Sequence, residues 1–517
     1  MEKHRKFWQA IIAALCVVYI LLRLWHLTDA CLWFDEIFSV HAAEHNWQDL
    51  FGFVAQDLIH PPLFYILLKI WITAFGESLF YLRLFPVLFS ALALFPFYFL
   101  CRQLKLNFRT IALALSFFAV NGALIKYAQE VRMYSVLLFF AALSLWLFTR
   151  FFDTGKGFLA LTIVNVLLIY THYFGWFVVF SEVVAVAVLQ RGKLKQILLM
   201  TLIAAASFTP WVFAVWQAKQ IGAQLSQNLG WADKPDARTI FQFALDLLEP
   251  FYFQATNIDA PSIYFISVPL LLIFTAALII YLTNRKNESA EGKHAARLLF
   301  IFCAAPVLLA FALSWLLPFS IWGVRHLTII FAPAIILTAY FVGEIKNIYL
   351  KAGVLILIFW LTAMAFLLQE IGGNKTSIIC AWENLAADLR LETENNSSTD
   401  AAPLLPIKVF LFEDASAYQF WFALRNEPEN QFQIVKIGGI DGLKEDAAYF
   451  LPRGFEQVQT RDENALQGER FFIVFRAKDW DENEPPLRNL IEKGYKIGAP
   501  QVFEAQGLKA FLVLVEK

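Results

Sequence analysis

Apolar runs of about 20 residues recur through the first 370 positions, and in lipid such a run can satisfy its backbone groups only by bonding to itself as a helix. Runs at 8–27, 79–101, 109–125, 133–150, 158–171, 173–190, 197–216, 261–283, 297–317, 325–343 and 351–369 predict about eleven transmembrane spans. Composition agrees: 59% of the 517 residues are hydrophobic and only 16% are charged, below the share usual in soluble domains. The formal net charge is −1 and the charges are segregated along the chain, which argues against a nucleic-acid partner. The first run is too long for a signal-peptide core and no small-residue cleavage site follows, so it reads as a membrane anchor.

One further apolar segment, PPLFYILLKIWITAF at 61–75, competes for a place among the spans. Left out, it puts 17 Lys and Arg residues, from Lys3 to Lys351, into short cytoplasmic loops; counted as a span, it scatters them over both faces. Lys69 at its middle and two prolines at its start suit a helix lying along the outer leaflet. The expected topology therefore has its N-terminus in the cytoplasm and its C-terminus outside. After Gly372-Gly373 the chain becomes mixed and charged. Strand-like runs at 407–412, 432–437 and 470–477 and a helix-like segment at 381–391 predict a small α/β domain over 375–517, with a loop at 394–403.

The five cysteines form no CxxC pair and match no zinc spacing, so they are expected to stay unpaired. A Cys31–Cys380 bridge is left open in case both face an oxidising compartment.

The ionisable residues beside the apolar runs gather on the outer side. The loop 28–60 holds Asp35, Glu36, His41, His45, Asp57 and His60, with Asp35-Glu36 wrapped in LW-F and IF-SV. KYAQEVRMYS, 126–135, puts Lys126, Glu130 and Tyr134 on one helical face and Arg132 on the next. THYFGW, 171–176, adds His172 and Tyr173, and WGVRHL, 322–327, adds Arg325 and His326. Taken singly, each fits a solvated loop, a helix cap or an interfacial ion pair. Together they offer carboxylates for general-base work and guanidinia for a phosphate. Two carboxylates and up to three histidines could also take up a divalent metal ion, although their spacing matches no dedicated ligand motif. A transporter or flippase is the alternative reading. It would place ionisable groups near the bilayer midplane on broken helices in related halves. The spans are nearly free of charge at their centres, Arg23 is near enough to its span's end to snorkel, and no internal repeat is visible.

WFDE at 33–36, DLIHPPLFYILLKIWITAFGES at 57–78 followed by YLRL, YAQEVRMYS at 127–135 and YTHYFGWF at 170–177, in this order, carry a resemblance. The chain resembles the GT-C class of polytopic membrane glycosyltransferases, in particular bacterial relatives of dolichyl-phosphate-mannose protein mannosyltransferases and of the aminoarabinose transferase that modifies lipid A. The resemblance implies a mainly α membrane domain over 1–372 with juxtamembrane helices in the outer loop 28–78, followed by the periplasmic α/β domain. It also implies an inverting transfer from a polyprenyl-phosphate-linked sugar to a lipid, glycan or protein acceptor at the periplasmic face of a bacterial inner membrane. Asp35 maps to the family's catalytic carboxylate, with Glu36 beside it. Arg132, Arg325 and Lys126 are the candidates for the donor phosphate. Asp57, His60, Glu130, Tyr134, His172, Tyr173 and His326 are expected to line the cavity. Whether a metal takes part varies within the class.

Overall fold

The computed structural model describes residues 2–220, 233–252, 263–284, 289–372, 378–396, 406–428, 431–440, 458–505 and 508–517. The expected domain boundary at 373–375 and most of the loop expected at 394–403 lie outside these residues.

The membrane part is helical. Its first elements are α1 (Glu2–Leu24), α2 (Phe34–Glu44), α3 (Trp47–Asp57), α4 (Leu63–Phe75) and α5 (Leu79–Gln103). Then come α6 (Phe108–Val120), α7 (Gly122–Gln129), α8 (Tyr134–Thr154), α9 (Phe158–Thr171), α10 (Gly175–Leu189) and α11 (Leu194–Gln220). After α12 (Ala237–Asp246), the bundle closes with α13 (Tyr264–Asn284), α14 (Ala290–Leu316), α15 (Phe331–Gly343) and α16 (Ile348–Gly372). Among the described residues, eight helices are long and apolar enough to cross a membrane. The other three expected spans coincide with α6, α9 and α10, of 13, 14 and 15 residues. At 1.5 Å per residue they are about 20–22 Å long, short of a hydrocarbon core of about 30 Å.

The reason α6 stops early is local. The run expected at 109–125 breaks at Asn121, whose side chain accepts from Leu124 N–H and so caps α7, while its amide donates to Leu247 O. Gly122 packs against the 249–251 backbone so closely that a Cβ would lie 3.0 Å from Glu249 O. A broken helix leaves carbonyls without partners. Arg23 supplies donors to two of them: its guanidinium reaches Phe118 O at 3.1 Å and Ala119 O at 2.9 Å, with further bonds to Ser90 Oγ and Tyr19 O. Arg23 is fully buried, so the expected snorkelling is corrected: it holds α1 to the end of α6.

The spans are also less free of ionisable groups than expected. Glu182, midway along α10, is fully buried and bonded to Ser144 of α8 and Asn165 of α9. The turn between α9 and α10 is equally constrained, because a Cβ on Gly175 would sit 2.7 Å from Leu168 O. At one end of the bundle Gln103, Lys105, Asp153, Glu291 and His294 meet, Lys105 pairing with Glu291 and Gln103 bonding Asp153. The juxtamembrane helices α2, α3 and α4 lie at the other end. There Lys69, the cation in the middle of α4, donates to Ala43 O at 3.1 Å and His45 O at 2.5 Å, the carbonyls ending α2.

The C-terminal part contains helices α17 (Ala381–Asn396), α18 (Asp414–Leu424) and α19 (Leu487–Glu492). They surround strands β1 (Ile407–Leu411), β2 (Phe432–Ile437), β3 (Gln459–Arg461), β4 (Arg470–Ala477), β5 (Lys496–Ile497), β6 (Gln501–Ala505) and β7 (Leu508–Glu516). The order is β3-β2-β1-β4-β7-β5, with β6 also on β7; β1 to β4 are parallel and β7 runs antiparallel. Side chains alternate between two cores: Val409, Leu411, Phe472 and Val474 face α17 and α18, while Phe410, Phe471 and Ile473 face α19. The three predicted strands are present, and β7, which the sequence reading does not single out, pairs along the whole of β4.

The cysteine expectation is corrected in one respect. Cys31 and Cys380 form a disulfide with their Cα atoms 5.3 Å apart, joining the sheet domain to the segment just before α2, and Cys16, Cys101 and Cys303 are free.

Candidate active site

Asp35 and Glu36 occupy the first turn of α2. Neighbouring positions on a helix point about 100° apart, so the two carboxylates have different surroundings. Glu36 turns inward and is fully buried. One oxygen accepts from Arg83 Nη2 at 3.2 Å and from the N–H of Trp33 at 3.1 Å, and the other from the N–H of Val131 at 2.8 Å. Arg83 also donates to Leu27 O and Cys31 O, so this buried ion pair ties α5, the segment before α2 and the turn after α7 into one frame.

Asp35 turns the other way and keeps 19% of its side chain exposed. Its Oδ2 lies 3.8 Å from Arg132 Nη2 and 3.6 Å from Arg325 Nη1, at ion-pair distance from both guanidinia. Arg132 comes from the 130–133 turn, which the Glu36–Val131 bond holds in place. Its Nη1 donates to Asp35 O at 3.0 Å and Ser39 Oγ at 3.1 Å, and its Nη2 contacts His60 Nε2 at 3.3 Å. A guanidinium can only donate, so His60 Nε2 accepts and the ring proton sits on Nδ1, which donates to Asp57 Oδ2 at 2.5 Å. Burial pushes His60 below its ordinary pKa, against the opposing pull of Asp57. Asp57 thereby fixes the tautomer that steadies Arg132.

Three imidazoles form a file behind this pair. His60 lies 5.8 Å from His172, and His172 lies 5.3 Å from His326, ring centre to ring centre. His172 Nδ1 accepts from Phe174 N–H at 3.1 Å, which leaves its proton on a buried Nε2 with no bond among the described residues. Burial also pushes His172 well below its ordinary pKa. On the other side of Asp35, Glu130 is buried with Lys126 4.0 Å away. Burial pushes its carboxyl up to about 7, Lys126 pulls it down, and the charge of Glu36 adds to the rise. Tyr134 packs at a tilt against Tyr127, ring centres 5.1 Å apart, within electrostatic reach of Arg325 and Arg132. Lys126 and Tyr127 also line a polar cavity of about 310 Å³ with Gln242, Asp246, Glu249 and Tyr252.

Eleven of the twelve residues expected from sequence converge on this region. The exception in kind is Tyr173, whose hydroxyl bonds Leu58 O and Trp211 Nε1 and so braces the scaffold beside it. Sequence reasoning missed Ser39, Arg83 and Tyr65. Tyr65 is fully buried on α4, its hydroxyl has no bond among the described residues, and it feels the charges of Arg132, Asp57 and Asp35. Its signal lay within HPPLFY, three residues after the prolines. Among the described residues, no three or more His, Cys, Asp or Glu side chains are placed to hold one metal ion, and between Asp35 and His60 stands the Arg132 guanidinium.

No family model matches the chain, and no curated protein matches it by sequence. Solved structures do match, and two of them cover nearly the whole chain. ArnT from Cupriavidus metallidurans bound to undecaprenyl phosphate superposes with a TM-score of 0.58 at 11% identity, over 97% of this chain and 97% of that one. The same protein in the apo state gives 0.60 at 11% identity, over 99% and 98%. The chain therefore has the ArnT fold from end to end, a helical membrane domain followed by an α/β sheet domain, as its resemblance to the GT-C class implies.

Proposed function

We propose that this chain is a glycosyltransferase that moves a sugar from a polyprenyl-phosphate carrier to a hydroxyl of a lipid, glycan or protein acceptor. The observation that carries the reading is the single carboxylate of Asp35 set between Arg132 and Arg325, in a fold shared with a protein whose crystals hold undecaprenyl phosphate. Asp35 balances two guanidinia at ion-pair distance. When a donor phosphate enters, those guanidinia turn to it as bidentate donors and the carboxylate is released to act as a base. Asp35 takes the acceptor's hydroxyl proton as the acceptor oxygen bonds to the anomeric carbon. The bond from that carbon to the phosphate oxygen breaks on the opposite face, and the electron pair leaves with the polyprenyl phosphate. The anomeric centre inverts, and Arg132 and Arg325 stabilise the charge that develops on the departing phosphate. Glu36 shapes this site by placing the turn that carries Arg132, and its own oxygens are occupied.

We place the reaction at the outer face of a bacterial inner membrane. A disulfide beside the site favours an oxidising compartment, and the basic loops gather at the opposite end of the bundle. The test is transfer by purified protein in lipid nanodiscs supplied with glycosylated polyprenyl phosphate and outer-membrane lipids. Release of polyprenyl phosphate together with a glycosylated acceptor supports the reading, and an intact donor after many turnover times contradicts it.

A further inference from the structure

The sheet domain grips the helix that carries Asp35 at both of its ends and along its side. Before the helix, the Cys31–Cys380 disulfide lies four residues ahead of Asp35. At the far end, Arg425, just after α18, donates to Glu44 at 2.9 Å and to Glu77 at 3.0 Å, joining the last residue of α2 to the segment that starts α5. In between, Tyr418 lies 5.9 Å from Phe34 and Trp421 lies 5.1 Å from His41, ring centre to ring centre, so α18 continues the core of the membrane domain. These three contacts are independent of one another: two fall on the eleven-residue helix itself and the third on the segment that leads directly into it. The aromatic contacts alone would dock a domain. A covalent tie at one end and a two-carboxylate ion pair at the other also fix the helix's position along and about its axis.

We propose that the C-terminal domain is a clamp that sets the position of Asp35 relative to Arg132 and Arg325, with Arg425 as a positioning residue acting through Glu44 and Glu77. The proposal rests on the catalytic reading given above. Arg132 and Arg325 belong to the membrane domain, and Arg132 has a second anchor in His60. Releasing the clamp therefore displaces the base more than the phosphate donors, and misplacement by about 1 Å costs on the order of 100-fold in rate.

The test compares the full-length chain in nanodiscs with the Arg425→Ala/Cys380→Ser double variant by hydrogen–deuterium exchange and by transfer kinetics. The clamp predicts that 34–44 exchanges about tenfold faster or more in the variant while 134–154 is unchanged, and that kcat falls at least about tenfold with donor KM within about threefold. Unchanged exchange over 34–44, or an unchanged kcat, overturns it. If the double variant does not fold, Arg425→Ala with the disulfide intact carries the same test with the same signs. The exchange arm needs no activity. Absence of transfer by the unmodified chain would thus count against the catalytic reading, while the exchange result still decides the clamp.

Discussion

At the residue scale, the pair Asp35-Glu36 shows how far sequence reaches. Its place in a membrane-adjacent apolar wrapper was legible, and so was the company of Arg132, Arg325 and His60, because ionisable groups are rare there and all lay on one side. The division of labour was not, because adjacency in sequence hides the angle between neighbouring side chains and the partner of Glu36, Arg83, lies 47 residues away. Asp35→Asn, which keeps the shape and removes the base, is expected to lower kcat by about 10²- to 10⁴-fold with donor KM little changed, as measured by single-donor kinetics. Glu130 offers a pH test. Its carboxyl titrates near 7, so below that pH it is neutral, and above it a negative charge stands near Arg325 and opposes a phosphate there. A phosphodiester donor does not itself titrate in this range. Donor KM should rise as pH climbs through about 7, and Glu130→Gln should flatten that rise.

At the element scale, the apolar runs mark the long helices of the bundle and α4, but they give no range for α2, α3 or α12 and run α6 and α7 together. The break depends on Asn121 and Gly122 meeting the 247–251 backbone, a contact between distant parts of the chain. The Asn-Gly pair is its one local trace, and the partners that make the break are far away in sequence. Two buried clusters then hold the elements in register. Removing one partner of the Glu36–Arg83 pair leaves a buried charge unpaired, so Glu36→Ala should destabilise the protein by about 3–5 kcal/mol, read as thermal unfolding in detergent. The Glu182 cluster obeys a different count. Ser144 Oγ lies 2.7 Å from both Asn165 Oδ1 and Glu182 Oε1, and Asn165 Nδ2 lies 2.7 Å from Glu182 Oε2. The serine has one proton for two acceptors, so the three contacts close only when Glu182 carries a proton. A glutamine supplies the same donor. Glu182→Gln should leave unfolding within about 0.5 kcal/mol of the natural chain, while Glu182→Ala should cost about 1–3 kcal/mol.

At the scale of the whole molecule, the change in composition after Gly372-Gly373 marks the division into a bundle and a separate α/β domain, counting basic residues predicts an orientation for it, and the fold matches ArnT over nearly the entire chain. What counting could not supply is the relation between the two domains. Cys31 and Cys380 are 349 positions apart, and nothing local to either marks it as the other's partner. Arg425 likewise reads as one surface cation among many until Glu44 and Glu77 are seen beside it. Around the point where these parts meet stand one carboxylate and two guanidinia, the set that the proposed transfer from a glycosyl phosphate requires. The most direct test of that transfer is mass spectrometry of polyprenyl phosphate released from glycosylated donor lipid by the unmodified chain and by Asp35→Asn, matched for folded protein. Release that accompanies acceptor glycosylation and falls at least about 100-fold in the variant is the predicted result. Equal release by both proteins, or none by either, would contradict the account.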